Sequence, residues 1–227
     1  MNTAAKNRSY ILFLFVAISS LSLLLGLWWK HNATPIEIMP VVKTATIFDR
    51  PRIISAFRMI DDQDKPFTLD NFKGHYSLVF FGFTHCPYLC PTTLAMLNQS
   101  YKMMQREKLN SMPRIIFISV DPEQDTPAVI KTYLSSFNSA FLGATGSKAD
   151  LDKLTEEMSV LYTKVMQPGD NQHYTIDHSG AIILVNPQGQ FQGVFTTPHD
   201  AKKIADDMKI LIGSAVSEKP ETKGGGR

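Results

Sequence analysis

Two short apolar runs, SLVFFGFT (77–84) and RIIFISV (114–120), place the strongest constraint on the fold of this chain. Both have strand length and are rich in β-branched and aromatic residues, as is typical of strands buried on both faces of a sheet. Helical patterns lie between and after them, and a strand pair around the turn PQG follows near residue 187. Strands that alternate with helices predict an α/β fold with a central sheet flanked by helices.

The boundaries of individual elements follow from local signals. RIISAFRMI (52–60) is predicted to be one strand, and the first long helix of the domain is predicted from Pro91 to about Leu109, because proline suits the first helical position. Thr126 and Ser147 are predicted to cap two further helices. The last helix is predicted to end near Ile212, with Gly213 just beyond it.

The N-terminal segment predicts a membrane anchor. Tyr10 to Trp29 has 20 residues and no charge, and as a helix it would span about 30 Å, the thickness of a bilayer core. Lys6 and Arg8 precede it, so the positive-inside rule places the short N-terminal side in the cytoplasm. We therefore expect a single-pass protein of a bacterial inner membrane whose domain faces the periplasm. A cleaved signal peptide is the alternative.

Composition divides the chain into four parts. Residues 1–31 form the predicted anchor, 32–52 a proline-containing linker, 53–213 the folded domain, and 214–227 a polar, glycine-rich tail predicted to be disordered. The stretch from 32 to 213 carries a slight excess of acidic residues. Nucleic-acid binding needs a basic face, so this charge argues against such a partner.

The chain has only two cysteines, and both lie in the loop FTHCPYLC that follows the first buried strand. Pro87 and Pro91 disfavour helix at Cys86 and Cys90, which predicts a helix start beside both sulfurs. The positive end of a helix dipole favours thiolate, so we expect both cysteines to be reactive. Spacing of this kind permits a disulfide or a shared metal ion, whereas a purely structural disulfide would close too short a loop to stabilise much.

Two thiolates alone underfill most metal sites, so a histidine is the natural third ligand. His85 is adjacent to Cys86 and is expected to influence its charge. His173 and His178 flank the polar stretch HYTIDHSG just before the strand AIILVN. His178 is favoured by its place at a strand edge beside Asp177, but the residues alone leave His173 open.

Three separated stretches together resemble the Sco/SenC family of copper-delivery proteins: GHYSLVFFGFTHCPYLCPTTLAML, ISVDPEQDTP and DHSGAIILVNPQGQF. The resemblance covers roughly residues 50–212 and implies a thioredoxin-like fold with an N-terminal membrane anchor. It also implies that copper is the bound metal and that Cys86, Cys90 and His178 are its ligands. One position departs from the family, which often has an acidic residue between the cysteines where this chain has Tyr88.

The resemblance further implies a role in building the binuclear copper site of cytochrome c oxidase, with subunit II as recipient and other copper carriers as further partners. Two sulfurs and one imidazole are a soft ligand set suited to Cu(I). Asp121, at the end of the neighbouring strand, is a candidate for supporting the ligands from outside the coordination shell. Two functions remain: copper delivery without turnover, or thiol–disulfide exchange with Cys86 as nucleophile and Cys90 as resolving cysteine.

Overall fold

The computed structural model describes residues 3–32, 41–109, 111–167 and 170–217. The chain divides into two compact units, Met1–Met39 and Pro40–Arg227. The first unit contains helix α1, Thr3–Asn32, whose described apolar side chains are largely exposed. Among the described residues, no helix combines the length and apolar character that crossing a membrane requires.

The second unit contains ten strands, four α-helices and one short 3-10 helix, Leu69–Phe72, among its described residues. The strands are β1 Ala45–Ile53, β2 Met59–Asp61, β3 Pro66–Phe67, β4 Ser77–Gly82, β5 Arg114–Ser119, β6 Leu142–Thr145, β7 Tyr162–Gln167, β8 Asp170–His178, β9 Ile182–Val185 and β10 Gln190–Phe195. The helices are α2 Leu89–Arg106, α3 Pro127–Ser135, α4 Lys148–Glu157 and α5 Ala201–Ser217.

Eight strands form one sheet in the order β1-β10-β9-β4-β5-β6-β2-β3. The predicted central strands are confirmed: β4 and β5 pair in parallel, and all six residues of β4 are buried. Strand β9 pairs antiparallel with the other edge of β4. Crossover helices join β4 to β5 and β5 to β6, the arrangement that short parallel strands require. The α/β prediction is therefore confirmed, and the fold is thioredoxin-like.

A second, two-stranded sheet is formed by β7 and β8. The two strands pair antiparallel, with Tyr162 opposite His178, and they are not hydrogen-bonded to the eight-stranded sheet. This hairpin, β7–β8, was not anticipated from the sequence, which placed a polar loop before the strand AIILVN. It is the element that carries His178.

Two helix caps are as predicted. The backbone N–H of Val129 donates to Thr126 Oγ1 over 3.4 Å, with Pro127 in the first turn of α3. The N–H of Asp150 donates to Ser147 Oγ over 3.2 Å at the start of α4. These signals are local, because the side chain that caps a helix is adjacent to it in sequence.

Several predicted boundaries are wrong. Strand β1 lies largely within the predicted linker 32–52, because its backbone pairs with the distant strand β10. The predicted strand 52–60 is divided between β1 and β2. Helix α2 begins at Leu89 rather than Pro91. Helix α5 passes through Gly213 and ends at Ser217, so the first four residues of the predicted tail are helical, and the rest of the tail lies outside the described residues.

Candidate metal centre

The cysteine loop, residues 83–90, connects the buried end of β4 to the start of α2. A turn closes within it, since the N–H of Cys86 donates to the carbonyl of Phe83. Cys90 lies in the first turn of α2, and its N–H donates to Cys86 Sγ over 3.3 Å. The sulfur of Cys86 therefore accepts from the first turn of α2, in the position of a helix cap. Both cysteines are free thiols.

The two cysteines differ in burial. Cys86 is partly exposed, whereas Cys90 has no exposed surface. Burial raises the pKa of the Cys90 thiol well above its ordinary value, and the neighbouring Cys86 and Asp125 act in the same direction. The expectation that both sulfurs favour thiolate is therefore wrong for Cys90, because desolvation outweighs the helix dipole there. Cys90 holds its proton until a metal replaces it.

His178 lies at the end of β8, with its imidazole against the rings of Phe80 and Phe83. Its Nε2 is 3.5 Å from Cys90 Sγ, and its Nδ1 is 3.3 Å from the carbonyl oxygen of Ser179. A carbonyl only accepts, so Nδ1 carries the hydrogen and the lone pair of Nε2 faces the sulfurs. Burial lowers the pKa of His178, which keeps the imidazole neutral and able to bind a metal.

One ligand atom from each of Cys86, Cys90 and His178 lies within 4.8 Å of the other two. In the part of the chain that the structure describes, this is the one such group of three or more histidine, cysteine or acidic side chains. The side chain of His173, the alternative ligand, lies outside the described residues. Two sulfurs and one imidazole fit copper, whereas structural zinc takes four protein ligands.

Polar side chains contact the elements that carry this group. Both carboxylate oxygens of Asp121 accept from the hydroxyl of Tyr174, at 2.9 and 3.0 Å, so Asp121 contacts the strand that bears His178. Asp125 is fully buried and accepts from the backbone N–H and the hydroxyl of Thr84, at 2.9 and 2.6 Å. His85 is largely exposed and its Nδ1 lies 3.8 Å from Asp125.

Sequence reasoning missed three residues near the group. Tyr174 belongs to an alternation with Ile176 and His178, which is a strand signal. Asp125 is the third acidic residue of DPEQD, which follows the second buried strand and in which only Asp121 was singled out. His199 donates from Nε2 to the carbonyl of Gly180 over 2.6 Å, two residues beyond His178, and no sequence signal marks that contact.

The fold and this group together define a class: thioredoxin-like domains with two cysteines at a helix start and a histidine brought beside them. The model of the SCO1/SenC family matches residues 46–213 of the chain. The chain therefore belongs to the SCO1/SenC family, as the resemblance predicted.

Known proteins align over most of the chain. An SCO2-like protein of Rickettsia prowazekii is 33% identical over 88% of this chain and 93% of its own length. Among solved structures, copper-bound ScoI of Bradyrhizobium japonicum is 37% identical, with a TM-score of 0.62 over 69% of this chain and 98% of that one. Copper-bound ScoI of Arabidopsis thaliana is 28% identical, with a TM-score of 0.65 over 73% and 99%.

Proposed function

We propose that this protein binds copper through Cys86, Cys90 and His178 and delivers it to the binuclear copper site of cytochrome c oxidase, on subunit II. The observation that carries the proposal is the convergence of two sulfurs and one imidazole nitrogen within 4.8 Å. Family membership and the two copper-bound ScoI structures support the choice of metal. Other copper carriers would load the site.

Each residue has a distinct part in this proposal. Copper is the cargo and accepts electron density from the soft sulfur ligands. His178 is held neutral with Nε2 unprotonated, so it binds without losing a proton. Cys90 releases its proton when it becomes a ligand. Cys86 is the more accessible sulfur, so it is the ligand that a recipient thiolate reaches first.

Thiol–disulfide exchange is the second candidate, favoured by the closeness of Cys86 and Cys90 and by the exposure of Cys86 alone. The Cys86 thiolate would attack a disulfide of the recipient and form a mixed disulfide. Cys90 would then displace the recipient, leaving two reduced recipient thiols and a Cys86–Cys90 disulfide. A dithiol reductant would have to regenerate the pair. Copper binding and this disulfide exclude each other, because metal ligation needs both sulfurs free.

We also propose that the N-terminal segment anchors the protein in a bacterial inner membrane, with the domain in the periplasm. The support is the uncharged sequence from Tyr10 to Trp29 and the basic residues Lys6 and Arg8 before it. A reporter that is active only in the periplasm, fused after Ile212, should be active. Recovery of a mature protein that begins after residue 29 contradicts the anchor.

The ligand set is tested by anaerobic copper titration of the reduced protein against a competing chelator. One copper should bind, and Cys86→Ala, Cys90→Ala and His178→Ala should each weaken binding, the cysteine changes most because thiolate is the softer donor. His173→Ala, a change at the other candidate histidine of β8, is the matched control and should bind like the parent. Weak binding by His173→Ala with normal binding by His178→Ala would show that the third ligand was misassigned.

Cytochrome c oxidase activity in cells distinguishes copper delivery from thiol–disulfide exchange. His178→Ala removes a copper ligand but leaves both cysteines, so thiol–disulfide exchange in vitro should be nearly unchanged. Loss of cytochrome c oxidase activity in cells carrying this variant, at normal protein level, is the result expected for copper delivery. Full oxidase activity would exclude delivery and leave the reductase.

A further inference from the structure

The position of His178 relative to the two cysteines depends on how the hairpin β7–β8 is attached. The hairpin forms its own two-stranded sheet, and no backbone ladder joins it to the sheet that ends in the cysteine loop. Side-chain contacts and the short connection to β9, residues 179–181, therefore hold it in place. In this position the imidazole of His178 lies close enough to Cys90 to share a metal.

Tyr174, which is partly buried, provides one part of this attachment. It lies four residues before His178 on β8, so the two side chains and that of Ile176 share one face of the strand. Ile176 is buried, which identifies this face as the one turned toward the domain. The hydroxyl of Tyr174 donates to Asp121 and accepts from Gln124 Nε2 over 2.7 Å.

Both partners of Tyr174 belong to one turn, residues 121–125, which follows β5. A third residue of this turn, Glu123, pairs with Lys164 of β7 over 2.9 Å, and Lys164 Nζ lies 3.6 Å from the centre of the Tyr174 ring. The ion pair is exposed and contributes little energy by itself. The hydrogen bonds to the partly buried hydroxyl are the more specific part of the attachment, because they fix both distance and direction.

The same turn also contacts the cysteine loop. Asp125 binds the backbone N–H and the hydroxyl of Thr84, two residues before Cys86. Ser119 links the two acidic residues, since its hydroxyl donates to Asp125 and accepts from the N–H of Asp121. The turn therefore contacts the element that carries the sulfurs and the element that carries the imidazole.

We propose that the turn 121–125 sets the separation of the imidazole from the sulfurs, with Tyr174 as the positioning residue that acts through His178. Asp125 fixes the cysteine loop, and Asp121 fixes the hairpin through the Tyr174 hydroxyl. The inference rests on the proposed copper site, because it assigns a role in placing the third ligand. It gives Asp121 a defined partner, Tyr174.

Tyr174→Phe is the direct test, because it removes one hydroxyl and keeps the ring. Copper affinity of the reduced protein should fall roughly tenfold or more, the range typical of residues that orient a metal ligand. The spectroscopic signal of imidazole ligation in the copper-loaded protein should weaken, and amide hydrogen exchange in β8 should accelerate. Tyr101→Phe on α2, whose hydroxyl has no hydrogen-bond partner among the described residues, is the control and should leave all three unchanged.

A double-mutant cycle separates positioning from general structural support. If Tyr174 acts through His178, then Tyr174→Phe has no further effect on copper affinity once His178→Ala is present. An equal loss in both backgrounds overturns the inference. Asp121→Asn keeps an acceptor for the Tyr174 hydroxyl and should retain affinity, whereas Asp121→Ala should lose it; equal loss in both also counts against the inference.

The outcomes also separate this inference from the proposed function. If the parent does not bind copper, or if His178→Ala binds as tightly as the parent, the proposed ligand set fails. If His178→Ala weakens binding and Tyr174→Phe does not, the ligand set stands and the positioning role of Tyr174 is refuted.

Discussion

Gly82, the last residue of β4, is the point where the packing of the sheet meets the proposed metal ligands. A Cβ atom at this position would lie 2.7 Å from Cys90 Sγ, 2.9 Å from Phe117 Cε2 and 3.3 Å from Phe80 Cε1. Contacts between such atoms are favourable at about 3.5–4.0 Å, so an added methyl group forces a displacement of about 1 Å. Metal–ligand distances tolerate only about 0.2 Å. Gly82→Ala should therefore impair copper binding through the sulfur.

Gly82→Ala should lower both the stability of the protein and its copper affinity. Overpacking a close-packed core typically costs about 1–3 kcal/mol, which should appear in the free energy of unfolding measured with urea. Copper affinity per folded molecule should fall by at least roughly tenfold, since a displaced sulfur loses more than a misoriented ligand does. Anaerobic competition with a chelator measures the affinity, and the same samples give the folded fraction.

Gly143→Ala is the matched control. Gly143 lies in β6 of the same sheet, and an added Cβ would come within 2.2 Å of Ile130 Cγ2 and 2.9 Å of Leu134 Cδ1, both on α3. The expected result is a comparable or larger loss of stability with copper affinity unchanged in the folded fraction. If Gly82→Ala destabilises the protein and still binds copper like the parent, then the backbone at Gly82 does not determine the position of the Cys90 sulfur.

Three further predictions concern stability and reactivity. Gly213→Ala should raise the free energy of unfolding by about 0.5–1 kcal/mol, because Gly213 is inside α5 and its Cβ would meet no atom within 4 Å; an unchanged urea midpoint would contradict this. Burial raises the pKa of Asp62, so the folded protein loses stability as pH rises through that pKa. The stability advantage of Asp62→Asn should therefore grow from pH 4 to pH 7. A difference that stays constant with pH would refute the raised pKa of Asp62. Iodoacetamide should modify Cys86 of the reduced protein well before Cys90, as mass spectrometry of partly labelled protein would show, because Cys90 has no exposed surface.

The centre of the fold was predictable because its signals are local. The two apolar runs of β4 and β5 indicate buried strands without reference to any other part of the chain. The caps at Thr126 and Ser147 each lie beside the helix that they start. The cysteine loop follows from these elements, since the end of β4 and the start of α2 bracket it.

Strand β1 shows why the edge of the sheet was not predictable. It contains Asp49, Arg50, Pro51 and Arg52, which suit a linker better than a strand. Its pairing partner, β10, lies more than a hundred residues later in the sequence. The ring of Phe191 on β10 packs against Phe48 and beneath the guanidinium of Arg52, at 4.9 and 4.4 Å. Such contacts stabilise the strand only after the fold has formed, so no local pattern reports them.

The third ligand required the same kind of distant information. His178 is 88 residues from Cys90, and the hairpin β7–β8 that carries it has an unremarkable polar sequence. Its period of two at Tyr174, Ile176 and His178 was the available signal. Within a strand, the apolar Ile176 marks the face turned to the domain, and His178 shares that face. Recognition of the strand would therefore have placed His178 on the side turned to the domain. The distance to the sulfurs would still have been unknown, because it is set by the turn 121–125 and not by the hairpin itself.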